Sequence, residues 1–366
     1  MIHAILRKRF RFRMRESFGD ATMATVGGWH LSHETTKSSA TKIAEKNAAE
    51  RRAPAKPDEY ITHSSTVVDC YSLFDKFFPA CGLLDYTEGI YTAPTTTYEE
   101  AQQNQINYVL DQVDCGPGVR LLEVGCGNGN LLAEAQRRGA AAVGVTISPE
   151  QVRLCRNRGL DVRCQDYKLL DDEYFGRFDA VVANGPIEHF VQPNEAARGL
   201  TDAIYSQMFG IFHKALDPSS PLRKMINTTI HFLRAPDPRA LLRSPWRHRR
   251  GSDDWHWAWL ARSFGGYYPT LGQFERCARD RFQLLHTVDG THDYHLTSEE
   301  WLRRIRRILP TWKGMKILAS SLPNAWRNPR QTFDMLACML GSESWNWQFR
   351  EPSPPTCLLR QTWVAA

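Results

Sequence analysis

Apolar positions recur along the chain with two alternating periods. From His63, the residues Val67, Val68, Tyr71, Leu73, Phe74, Phe77 and Phe78 predict a helix with an aromatic face, and Ile106, Val109, Leu110 and Val113 predict a second, ended by Gly116-Pro117-Gly118. The spacing then shortens. Val119, Leu121, Leu122 and Val124 read as a strand, followed by a helix over 131–138, a strand over 141–146 and a helix that opens at Ser148-Pro149-Glu150-Gln151 and stops at Gly159. Strands over 161–164 and 178–184, a helix over 200–216 and a strand over 224–232 extend the series. Strands and helices alternating at this spacing predict parallel βαβ units in a doubly wound α/β sheet. The pattern fails between 233 and 264, which reads as an insertion over the site; a helix over 271–279, a strand over 282–288, helices over 298–307 and on to about 340, and a strand over 358–364 follow.

Ligands of such sheets bind outside the carboxyl ends of the strands. Gly125, Thr146, Gln165 and Asn184 fall at those ends. The first strand runs into Gly125, Gly127 and Gly129, a turn too tight for side chains, whose bare backbone can approach a ligand and present N–H groups beside the positive end of the next helix.

Composition narrows the possibilities. The 366 residues are 42% hydrophobic, enough for a large core, and carry a formal charge of +6. Residues 1–60 hold 12 Lys/Arg against 7 Asp/Glu, so nearly all the excess lies there. The body is almost neutral, which argues against a duplex nucleic-acid binder. Residues 1–62 are expected to be a basic, disordered arm and 63–366 the folded domain, with 233–264 as its lid. The 9 cysteines are scattered, without a CxxC pair, and read as free thiols of a cytoplasmic protein rather than metal ligands. No apolar run is long enough to span a membrane, so any lipid must be reached from the side.

A nicotinamide dinucleotide would favour GxGxxG and an acid at the end of the second strand; the spacing here is GxGxG and that strand ends in Thr146. Glu123-x-Gly125-x-Gly127-x-Gly129 resembles motif I of class I S-adenosylmethionine (SAM) methyltransferases. Tyr86-Thr87, Ala101-Gln102, VGVTISPEQ at 143–151, QDY at 165–167, FDAVVANGPIEHF, GGYYPTLGQ and Asp293-Tyr294…Trp301 occur in the order seen in the cyclopropane fatty acid synthase family, a resemblance spanning about 72–363. It implies a Rossmann-like methyltransferase sheet with an α-helical N-terminal cover and an inserted lid. It further implies that Tyr86 and Thr87 lie over SAM, that Glu123, Gly125, Gly127 and Gly129 form motif I, that Thr146 and Gln151 meet the ribose, and that Gln165, Asp166 and Tyr167 flank the adenine.

The reaction implied is methyl transfer to a carbon–carbon double bond of an unsaturated acyl chain, with Glu188 and Tyr294 in the family's bicarbonate-holding set. Two positions depart from it: Glu88 stands where the family has Cys, and the family's HTI segment reads Asn227-Thr228-Thr229-Ile230, with His231 the nearest histidine. A charged Glu88 repels bicarbonate and can itself take the base role. The site then suits a lipid alkene, or an amine as in the benzylisoquinoline N-methyltransferases of the same frame. A module that binds SAM without catalysis, touching RNA through its arginine arm, is the reading from another class. His189 is either a structural histidine or a base. Trp246, Trp255, Trp257 and Trp259 are lid core or the wall of an apolar tunnel. Arg239, Arg243, Arg247, Arg249 and Arg250 make a solvated loop or hold a phosphate or anionic membrane surface.

Overall fold

The computed structural model describes residues 63–366; the N-terminal arm lies outside the described residues. Seven strands form one sheet in the order β3-β2-β1-β4-β5-β7-β6. β1 (Arg120–Val124), β2 (Ala141–Thr146), β3 (Asp161–Cys164), β4 (Ala180–Asn184) and β5 (Lys224–Phe232) run parallel. β7 (Thr356–Ala365) inserts antiparallel between β5 and β6 (Phe282–Asp289). The strand order reverses between β1 and β4, which opens a crevice at their carboxyl ends.

Alternation along the strands divides the core in two. Leu121, Ala180, Val182 and Ile226 face a layer with α2 (Tyr98–Gln112), α3 (Asn130–Arg137) and α4 (Pro149–Asn157), whereas Leu122, Val124, Val181, Ala183 and Met225 face the larger aromatic layer. That second layer includes α1 (His63–Ala80), α5 (Thr201–Ala215), α6 (Asp253–Phe264), α7 (Gln273–Ala278), α8 (Thr291–Ile308), α9 (Trp312–Arg327) and α10 (Pro329–Leu336).

Two elements differ from expectation. The irregular stretch 233–264 contains α6, capped by Ser252, whose hydroxyl accepts from the Trp255 amide. His256, Trp257, Ala258, Trp259, Leu260, Ser263 and Phe264 are all buried, so no polar face marks the helix in the sequence. Trp257 and Trp259 are thus core, while Trp246 is exposed. The helix expected from Ser298 starts instead at Thr291, directly after Gly290, which puts Asp293 and Tyr294 on its first turn.

Candidate active site

A cavity of about 340 Å³ opens where β1, β2 and β4 end. Tyr86, Thr87, Glu123, Gly125, Gly127, Thr146, Gln151, Gln165, Asp166, Tyr167 and His189 line it together with Val67, Val68 and Tyr71 of α1. No residue of 233–264 lines it, so its cover comes from α1 and the segment 189–195 instead of the insertion.

The turn after β1 supplies room. Gly125 and Gly127 have φ of +73° and +49°, and a Cβ on Gly127 would stand 3.4 Å from the Tyr86 ring. The Gly125 and Cys126 amides donate to Val145 O at 2.8 and 3.2 Å, so these two N–H groups serve the sheet and are not offered to a ligand. Gly129 corrects the expectation of a third ligand-facing glycine. It lies outside the cavity as the left-handed cap of α3, and a Cβ there would meet Leu160 Cδ1 at 2.6 Å and Cys155 Sγ at 2.8 Å.

Side chains behind the turn are tied together. The Thr146 hydroxyl donates to Gln151 Oε1 at 2.6 Å, and Gln151 Nε2 donates to Asp75 Oδ1 at 3.2 Å. The capping box at Ser148 is therefore half formed: Ser148 Oγ accepts from the Gln151 amide, while the Gln151 side chain turns inward. Asp75 also accepts from the Tyr86 hydroxyl, and burial pushes its carboxyl up to about 6 against those two hydrogen bonds. Asp75, on α1, was not anticipated; its signal was an acid set between Phe74 and Phe77 on an aromatic helix. Gln165 is spent locally, donating to Leu169 O at 2.7 Å and accepting from Tyr174, and Asp166 caps the turn Tyr167–Leu169.

Four lining residues carry buried polar atoms without a partner in the protein: Thr87 Oγ1, Glu123 Oε2, Tyr167 OH and His189 Nδ1. Burial drives the Glu123 carboxyl well above its ordinary value. A ligand with an ammonium group, hydroxyls and a flat apolar ring would satisfy this set, since each unmet buried group is costly. Those are the features of SAM.

A second cluster is buried beside the cavity but does not line it. Glu188 Oε1 accepts from the Ile230 amide at 2.9 Å, and Oε2 has no partner. Burial pushes Glu188 up to about 8, the backbone hydrogen bonds opposing and Glu88 adding to the shift. Tyr294 stacks on Phe349 at 4.0 Å; burial, Glu188 and Glu88 all raise its phenol. Glu88 is not a free carboxylate. Arg360 Nε donates to Glu88 Oε1 at 2.8 Å, and Arg360 Nη2 donates to Asp293 Oδ2 at 2.9 Å. Burial still lifts Glu88 to about 7 although Arg360 opposes it. Arg360 was missed because β7 reads as an apolar closing strand; a lone arginine on its inward face was the available sign.

His189 links cluster and cavity. Its Nε2 lies 2.8 Å from the Tyr71 hydroxyl, and burial lowers its pKa to about 4, so the ring is neutral at pH 7. His231 is elsewhere, its Nδ1 2.9 Å from Thr229 O and its ring against Phe274. The Thr228 hydroxyl donates to Asn184 Oδ1 at 2.7 Å. With Glu88 ion-paired and Thr228 engaged, the residues present do not form a cradle for bicarbonate.

Residues 58–316 match the family model described as mycolic acid cyclopropane synthetase. The chain belongs to that family. A segment of 125 residues in this cyclopropane synthetase relative is 34% identical to the cyclopropane-fatty-acyl-phospholipid synthase of Escherichia coli K12, covering 33% of the chain and 29% of that enzyme. The match thus spans under a third of that relative's length. Among solved structures, the mycolic acid cyclopropane synthase CmaA1 complexed with SAH and CTAB aligns with TM-score 0.57 at 18% identity, over 84% of the chain and 100% of CmaA1. Coclaurine N-methyltransferase bound to N-methylheliamine and SAH aligns with TM-score 0.55 at 15% identity, over 91% and 90%. These two show the fold alone: the Rossmann-like sheet of class I SAM methyltransferases.

Proposed function

We propose that the chain is a SAM-dependent methyltransferase acting on a carbon–carbon double bond of an unsaturated acyl or lipid-like substrate. The observation that carries the reading is the cavity at the turn of β1, with bare Gly125 and Gly127 and the unpartnered Glu123 Oε2, beside a buried cluster of Glu188, Glu88 and Tyr294. When bound, SAM supplies an electrophilic methyl group on a sulfonium. Tyr86 and Thr87 would cover it, the unpartnered Glu123 Oε2 would meet its ammonium, and Thr146, tied to Gln151 and Asp75, would hold the ribose side.

Attack by the alkene leaves a carbocation on the acceptor, which must lose a proton. Glu188 Oε2 is the acceptor we assign: it is unpartnered, and Oε1 is fixed by the Ile230 amide. Loss of that proton from the transferred methyl closes a three-membered ring; loss from a neighbouring carbon leaves a methyl-branched alkene. Tyr294 and the neutral His189 border this region, and the Glu88–Arg360–Asp293 set fixes its far side without external bicarbonate. Thr87 and His189, which line the cavity, are the chain neighbours of Glu88 and Glu188 and join the two regions.

Expression followed by lipid extraction tests the reading: acyl chains heavier by one methylene support it. Unchanged acyl chains together with methylation of an added amine would favour the small-molecule N-methyltransferase, the alternative that the carboxylate-rich cluster keeps open. Among the described residues no helix is long and apolar enough to cross a membrane. A cytoplasmic protein meeting lipid at a membrane surface is the setting proposed.

A further inference from the structure

Helix α9 turns an apolar face outward. Trp312, Met315, Leu318, Leu322 and Trp326 are all exposed, Trp312 by 69% and Trp326 by 90%, while Ile317 on the other side enters the core. At helical spacing the five exposed residues fall within about 120° of arc, with exposed Lys316 about 40° beyond Trp312 and exposed Lys313 further round on the same side. A soluble surface helix carries polar residues there. Five exposed large apolar residues on one helix mark an interaction surface.

Charge identifies the partner. Residues 301–333 contain 8 Lys/Arg and no Asp or Glu. Arg303 and Arg304 pair with Glu300, and Arg306 pairs with Glu343; Arg307, Lys313 and Lys316 have no ion-pair partner among the described residues. The surface continues beyond the helix. Exposed Phe333 of α10 contacts Trp259 at 6.3 Å between ring centres, and Trp259 contacts exposed Trp246 at 5.6 Å, beside exposed Arg243 and Arg247.

We infer that the outer face of α9, extended through Phe333 and Trp246, docks the protein on an anionic lipid bilayer. Tryptophan and leucine suit the boundary between headgroups and acyl chains, and unpaired lysine and arginine beside them attract anionic headgroups. A two-fold contact between copies through this face would instead bring its unpaired cations against themselves. α9 packs on α1, whose Val67, Val68 and Tyr71 cover the cavity, so a docked bilayer lies one helix away from the cofactor pocket. For its purpose the inference rests on the lipid reading above, but it is tested by partitioning and not by turnover.

The test is flotation of the full-length protein with vesicles of phosphatidylglycerol and phosphatidylcholine, and with phosphatidylcholine alone. The wild type should float with the anionic vesicles and lose much of that binding at high salt. Leu322→Glu combined with Trp326→Glu should weaken partitioning about tenfold or more, with SAM calorimetry and thermal unfolding unchanged. Should that variant fail to fold, Lys313→Glu with Lys316→Glu, both at exposed positions, should weaken anionic binding alone. Wild-type partitioning in a folded apolar variant or in the lysine variant overturns the inference, as does a variant that splits a dimer while floating normally. Normal docking without acyl methylation would instead sink the functional reading and leave this one standing.

Discussion

Glu88 sits where a free catalytic carboxylate was expected, and Arg360 is the reason it is not one. The guanidinium is 2% exposed and shared between Glu88 and Asp293, so removing it would leave a buried acid without its partner. Arg360→Leu should lower stability by about 3 to 5 kcal/mol, and Glu88→Gln added to it should recover much of that loss in thermal unfolding. Glu188 leads to a pH prediction. Its carboxyl is raised from 4.5 to about 8, so the stability it contributes is fully present below pH 4.5 and is lost as pH rises through about 8. As a base it must be ionised, so turnover should rise over the same interval in which stability falls. Glu188→Gln should bind SAM normally, turn over slowly and flatten the stability profile; an unchanged rate would remove Glu188 from the chemistry. That Tyr86, Thr87, Glu123 and Gln151 line one cavity was legible from motif order. Their partners were not, because Asp75–Gln151 and Glu88–Arg360 join positions 76 and 272 apart in the chain.

At the scale of elements, the parallel strands could be read directly: β1, β2 and β4 are short, mainly apolar runs, and β3 and β5 follow from their place in the strand–helix alternation between turn residues. The position of β7 could not, since its period does not reveal that it inserts antiparallel between β5 and β6. α6 was hidden for the opposite reason: being buried nearly all round, it lacks the polar stripe that announces a helix. The glycine turn was recognised as a close approach, but its first two amides hydrogen-bond to β2. Its contribution is space, and substitution tests that. Gly127→Val places a branched side chain at φ +49° against the Tyr86 ring, where left-handed strain costs about 1 to 3 kcal/mol. The variant should unfold at lower temperature yet remain folded, and it should lose SAM binding.

Across the whole molecule, charge and apolar surface are arranged unevenly. Sequence composition placed the positive excess in residues 1–60 and left the body nearly neutral. That average concealed the acid-free stretch 301–333, whose cations border the exposed tryptophans of α9, because acidic residues elsewhere offset it. The arginines of 233–264 were read as either solvated or holding a phosphate or anionic membrane surface; the place of Arg243 and Arg247 beside exposed Trp246 gives the membrane reading a physical basis. The central claim is that the crevice between β1 and β4 holds a sulfonium nucleoside. Titration calorimetry of the full-length protein with SAM tests it most directly: saturable heat for the wild type and none for folded Gly127→Val is the predicted result, and no heat from the wild type at millimolar SAM would contradict it.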